Sequence, residues 1–200
     1  MLEIKNGYKK FNGKYVLENI SIKFENGKIY GVVGENGKGK TVLLKVLCGY
    51  SVLNKGEVYQ DNVKLRDKLN FIQNAGIVIE KPDFIENFTL YENLDNIRKL
   101  SDNKNIDIDF WIEFYDLVEH KDKKYKKLSL GTKQKLLIIQ AFMTNPSILI
   151  LDECFSGLDE KSYNKTKEYL KNYINEDRLI ILTSHIKEDI EELCDEVIQL

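Results

Sequence analysis

Gly34-Glu35-Asn36-Gly37-Lys38-Gly39-Lys40-Thr41 fits G-x-x-x-x-G-K-[ST], the pattern of a phosphate-binding loop. Lys28-Ile29-Tyr30-Gly31-Val32-Val33 before it reads as a short buried strand, and Val42-Leu43-Leu44-Lys45-Val46-Leu47 after it as a helix. Strand, glycine loop and helix are the context the pattern requires. The glycines let successive backbone N–H groups turn toward one anion, and the helix adds its positive N-terminal end. In such a loop Lys40 reaches the β- and γ-phosphates and the Thr41 hydroxyl ligates Mg²⁺.

Working outward, the chain has 200 residues, enough for one domain with its own core. Apolar residues make up 42% and charged residues 31%, a globular balance. A net charge of −2 gives no basic face, so no nucleic-acid partner is expected. No apolar run reaches the roughly 18 residues of a membrane span, and the first residues do not form a signal peptide. Cys48, Cys154 and Cys194 are widely spaced and odd in number, which suits reduced thiols better than a disulfide framework or a zinc site.

Leu2 to Lys5 alternates as a half-buried strand, and Tyr8 to Lys14 reads as a turn-rich loop with two aromatics. Val16 to Phe24 is a second strand, and Asn26-Gly27 a turn. Lys55 to Val63 reads as a short hairpin. Ala75 to Glu80 is a compact strand ending on a carboxylate, broken by Lys81-Pro82-Asp83. From Thr89 to Lys127 the pattern is helical. A helix opens at Ser129 and runs through Met143. Ser147 to Glu153 is a near-continuous apolar strand ending in two acids, which implies burial on both faces, as in a parallel sheet. A helix over Glu160–Tyr173, a strand over Leu179–Thr183, Ser184-His185 and a last helix complete the order.

Further chemistry lies downstream of the loop. Asp152 would hold Mg²⁺, directly or through water, and Glu153 would polarise the attacking water as general base. Leu128-Ser129-Leu130-Gly131-Thr132-Lys133-Gln134 stands about twenty residues before Asp152 and resembles the L-S-G-G-Q signature of ATP-binding-cassette (ABC) ATPases. Gly157-Leu158-Asp159 resembles their D-loop and Ser184-His185 their switch histidine. Phe11 stands where that family sets an aromatic against adenine, although Tyr8 is close by and either ring also fits a core. The resemblance covers essentially the whole chain, with its motifs in order.

It implies an α/β fold: a mostly parallel sheet wrapped by helices, an antiparallel N-terminal β layer, and a helical subdomain inserted at about 84–127 of a single domain, 1–200. It also implies ATP as the ligand, with Gly34, Glu35, Asn36, Gly37, Lys38, Gly39, Lys40 and Thr41 around its phosphates. Mg²⁺ would be held by Thr41 and Asp152, and Glu153 and His185 would be catalytic. Ser129, Gly131 and Asp159 would act across a dimer that sandwiches the nucleotide. The expected partners are a second nucleotide-binding domain and a membrane permease, with the chain on the cytoplasmic face. A soluble ABC ATPase of translation, DNA repair or cluster assembly is the alternative.

Three departures from the family pattern stand out. Leu130 and Thr132 replace Gly and Gln in the signature. Cys154 replaces the proline after the catalytic acid. Glu80 occupies the usual position of the Q-loop glutamine, and is expected to be a metal-side ligand and hinge or, failing that, a solvated strand-end acid. Glu80 together with a leucine-containing signature resembles the ATPases of bacterial peptide-antibiotic and bacteriocin exporters. Val197 to Leu200 reads as a strand with an edge left for a partner or a further strand.

Overall fold

The computed structural model describes residues 1–66, 71–80 and 84–200. Among these the strands form two sheets. The first is antiparallel and runs β2-β1-β4-β5, built from β1 (Leu2–Phe11), β2 (Lys14–Phe24), β4 (Lys55–Gln60) and β5 (Val63–Lys64). The second runs β6-β7-β8-β3-β9, built from β3 (Lys28–Val33), β6 (Ala75–Val78), β7 (Ile148–Asp152), β8 (Leu179–Thr183) and β9 (Glu196–Gln199). Every pairing in the second sheet is parallel. The helices are α1 (Lys40–Leu47), α2 (Leu90–Leu100), α3 (Ile108–Phe114), α4 (Leu130–Phe142), α5 (Glu160–Tyr173) and α6 (Lys187–Leu193).

Side chains alternate across a strand, so a strand that is apolar at every position must be covered on both faces. β7 and β8 meet that condition in opposite directions. Ile148, Ile150, Leu179 and Ile181 enter a core shared with α1 and the antiparallel sheet. Leu149, Leu151, Ile180 and Leu182 enter a second core with α4, α5 and α6. Leu90 and Leu94 of α2 and Ile108, Trp111 and Ile112 of α3 join that second core, so residues 84–127 share their packing with the sheet's helical layer. A capping box at Thr89 and Glu92 starts α2, and the Asp107 side chain starts α3.

Two expectations change. Tyr8 to Phe11 is strand, with Lys9, Lys10 and Phe11 paired to Leu17, Tyr15 and Lys14. Asn12 and Gly13 both take positive φ, 48° and 80°, which is the tight hairpin turn that matches strand twist. The Lys9-Lys10 pair and the Asn12-Gly13 turn signal hid that strand. β6 stops at Val78, before Glu80, whose φ of 59° lies in the left-handed region. The expected break at Lys81-Pro82-Asp83 lies outside the described residues.

The strand order does the positioning. β3, β8 and β7 are neighbours with their carboxyl ends on one side. The loops after them begin at Gly34, Ser184 and Glu153, and so emerge side by side, as ligand-binding loops do in open α/β sheets.

Candidate active site

Gly39 takes φ of 98° and is the N-cap of α1. A Cβ there would lie 2.9 Å from both the Val16 Cγ1 and its carbonyl oxygen, so only glycine fits. Val16, on β2, thereby joins the wall of a cavity of about 320 Å³. Asn36, Gly37, Lys40, Thr41, Asp152, Glu153 and His185 line it as well. The three loops at the sheet's carboxyl edge meet there.

The side chains are bound to one another. Lys40 is 8% exposed, and its Nζ donates to the Gly34 carbonyl at 2.7 Å and the Glu35 carbonyl at 3.3 Å. A buried ammonium needs such acceptors. Thr41 Oγ1 donates to Asp152 Oδ2 at 2.6 Å, and Thr183 Oγ1 donates to Asp152 Oδ1 at 2.7 Å. Thr183 Oγ1 also accepts from the Glu153 N–H at 3.0 Å. Fully buried Thr183 therefore fixes both acids, a role that the sequence reading missed. Its one signal was a hydroxyl at the end of an otherwise apolar strand.

Glu153 takes φ of 50°, unusual for a residue with a side chain, and this turns the chain out of β7. Its Oε2 accepts from the His185 N–H at 3.1 Å. Its Oε1 is buried with no hydrogen bond, 3.3 Å from His185 Nε2 but off line for one. A buried, unsatisfied carboxylate oxygen beside a cavity is costly, and such atoms mark sites that accept a proton or a water. Thr41 and Asp152 present hydroxyl and carboxylate oxygen, the donor chemistry of a hard divalent cation. No group of three or more His, Cys, Asp or Glu residues is set to hold a metal among the described residues. A cation held here would draw most of its shell from phosphate and water, as Mg²⁺ does.

The other expected site residues lie apart from the cavity wall. Ser129 caps α4, accepting from the Thr132 N–H at 3.2 Å, and Leu130 beside it is 65% exposed. A Cβ on Gly131 would lie 3.1 Å from the Gly157 carbonyl, so signature and D-loop touch within one chain. Asp159 caps α5 and pairs with Lys135 of α4 at 2.7 Å, which holds its carboxyl down at about 2. Glu35 and Lys38 form an exposed pair at 3.9 Å. Phe11 is half exposed at the end of β1, with the Lys9 ammonium 5.0 Å over its ring. Glu80 pairs with Lys45 of α1 and is not part of the cavity wall. All three cysteines are free; burial lifts the Cys48 and Cys194 thiols to about 12 and Cys154 higher still.

The family model described as ABC transporter matches residues 17–156, from the cavity wall through the Asp152-Glu153 turn. The chain belongs to the ABC transporter ATPase family. The chain is 37% identical over 204 residues to YybJ of Bacillus subtilis, an uncharacterised ABC transporter ATP-binding protein, covering all of this chain and 92% of YybJ. It is 31% identical to the bacitracin transport ATP-binding protein BcrA of Enterococcus faecalis, covering 98% of this chain and 64% of BcrA. Among solved structures, the ATP-binding subunit of an ABC transporter superposes with a TM-score of 0.89 at 25% identity, covering all of this chain and 85% of that one. A dimeric cassette bound to ADP and Pi in a post-hydrolysis state shares the fold, with a TM-score of 0.85 at 24% identity, covering all of this chain and 94% of that one. The protein is thus an ABC ATPase. Among the described residues no helix is long and apolar enough to cross a membrane.

Proposed function

We propose that this ABC ATPase hydrolyses MgATP between two cassettes and so drives a separate membrane permease, as an exporter, from the cytoplasmic side. The observation that carries the reading is the orphaned Glu153 Oε1, buried beside His185 on the wall that Lys40 and Thr41 also form. Lys40 and the N–H groups at the start of α1 would neutralise the triphosphate. Thr41 and Asp152 would hold Mg²⁺, which would supply charge neutralisation to the triphosphate when bound. Glu80, if it leaves Lys45, would add a carboxylate on the metal side. Glu153 Oε1 would take the proton of the attacking water, with His185 holding that water in line. Phe11, half exposed at the end of β1, would face the adenine.

One chain supplies no donor from Ser129 or Gly131 to its own cavity wall. The exposed start of α4 would act as an anion-binding helix end and meet a partner's γ-phosphate. Asp159 would stand beside it at the same face. The dimeric cassettes among the structural relatives support pairing. The bacitracin transport protein and the lantibiotic transport protein SrtF of Streptococcus pyogenes support export. ATPase rate per chain, followed from nanomolar to tens of micromolar protein, tests the paired mechanism. Turnover that climbs with concentration is expected; a flat profile at low turnover would mean that one chain hydrolyses alone.

A further inference from the structure

Next to His185 lies a charge network, buried at Asp189 and Lys167, that no step above uses. Asp189 of α6 is fully buried. Its Oδ2 accepts from the Ser184 hydroxyl at 2.7 Å. Its Oδ1 accepts from the Tyr163 hydroxyl of α5 and lies 3.2 Å from Lys167 Nζ. Lys167 in turn pairs with Glu192, whose other oxygen pairs with Lys171 at 2.6 Å. A carboxylate taken out of water in this way is retained only with such partners.

The turn that carries His185 is held from both sides of this network. Ser184 Oγ accepts from the Ile186 N–H at 3.0 Å, closing a ring around His185. The Asp189 N–H donates to the Ile186 carbonyl at 3.2 Å. The His185 side chain is 60% exposed and so has little packing to fix it. Its position is inherited from a backbone held on Asp189 through Ser184 and on Glu153 through the His185 N–H.

We propose that Asp189 is a positioning residue for hydrolysis, acting through the Ser184 hydroxyl to set the His185 imidazole against Glu153. This rests on the reading of His185 given above. The competing role is simple cohesion of α5 with α6, which the Tyr163 and Lys167 contacts serve without Ser184. Ser184→Ala separates the two, because it removes one hydroxyl and leaves those contacts in place.

The experiment compares the steady-state ATPase kinetics of wild type, Ser184→Ala, Ser184→Thr, His185→Ala and the double variant Ser184→Ala/His185→Ala, with an assay sensitive enough for slow rates. Ser184→Ala is expected to lower kcat about tenfold with KM within about twofold, the pattern of a lost transition-state contact. Ser184→Thr, which keeps the hydroxyl, should restore most of the rate. In the His185→Ala background, Ser184→Ala should change kcat by less than about twofold, since residues acting as one unit are not additive. An equal fold-loss in both backgrounds, or no loss on wild type, overturns the positioning role while leaving His185 in place. A His185→Ala chain with wild-type turnover overturns both.

Discussion

At the scale of single residues, the site turns on where two carboxylates point. Glu153 keeps one oxygen on the His185 N–H and leaves the other buried without a hydrogen bond. Replacing that oxygen by an amide keeps the shape but removes the proton acceptor. Glu153→Gln should retain MgATP binding and lose about 10²–10⁴ in turnover, or roughly 3–5 kcal/mol of barrier. Equilibrium nucleotide binding and single-turnover rates check it; turnover within a few-fold of wild type would move the base elsewhere. Glu80 is the opposite case, a 64%-exposed acid paired with Lys45. Such a pair contributes about 1 kcal/mol at most, so a divalent cation can draw the carboxylate away. Glu80→Ala should therefore raise the Mg²⁺ needed for half-maximal ATPase activity, whereas superimposable titrations would leave Glu80 only its lysine. The sequence made Lys40, Thr41, Asp152, Glu153 and His185 legible because each sits in a spaced motif, and the fold brings these five to one cavity. Val16 and Thr183 were not legible, because their places depend on which strands lie side by side.

At the scale of elements, the strongest signals were periodic or fully apolar. β8 and α5 fall on the residues expected, since a five-residue apolar strand and a capped amphipathic helix each have one good solution. β1 was read short because its distal half lacks an apolar alternation, and pairing with β2, joined by β4 at Tyr8, holds it. β6 packs closely on α4: a Cβ on Gly76 would meet the Ala141 carbonyl oxygen at 1.9 Å, a demand that no local pattern announces. The cap of α5 gives a prediction at this scale. Asp159 accepts from the Ser162 N–H at 2.9 Å, and Lys135 holds its carboxyl at about 2. Asp159→Ala should cost about 1 kcal/mol at neutral pH, the usual cost of a lost N-cap. A depressed pKa adds stability that is complete above the unfolded value of about 3.9 and disappears as pH falls through the folded one. Urea melts of wild type and variant should therefore differ at pH 7 and converge toward pH 2; a constant gap would mean that the carboxylate's charge plays no part.

At the scale of the whole molecule, the start of α4 stands apart from the cavity wall. The cavity opens where β3, β7 and β8 end, while the start of α4 is presented to solvent at Leu130, against the Gly157 carbonyl of its own chain. On the proposed reading, two copies related by a closed twofold axis would satisfy both surfaces at once, each signature meeting the other's phosphates. Charge at Gly131 tests this. Gly131→Asp would set a carboxylate against a partner's γ-phosphate, where like charges in a desolvated interface are strongly disfavoured. The substitution also adds bulk 3.1 Å from the Gly157 carbonyl, so Gly131→Ala is the control for bulk alone. In the Glu153→Gln background, ATP should shift sedimentation to a dimer for the parent and for Gly131→Ala, and not for Gly131→Asp. ATP binding to the monomer should be intact in all three. Equal dimer populations in all three would show that Gly131 faces no phosphate. Equal failure of Ala and Asp would trace the loss to the Gly157 contact inside one chain.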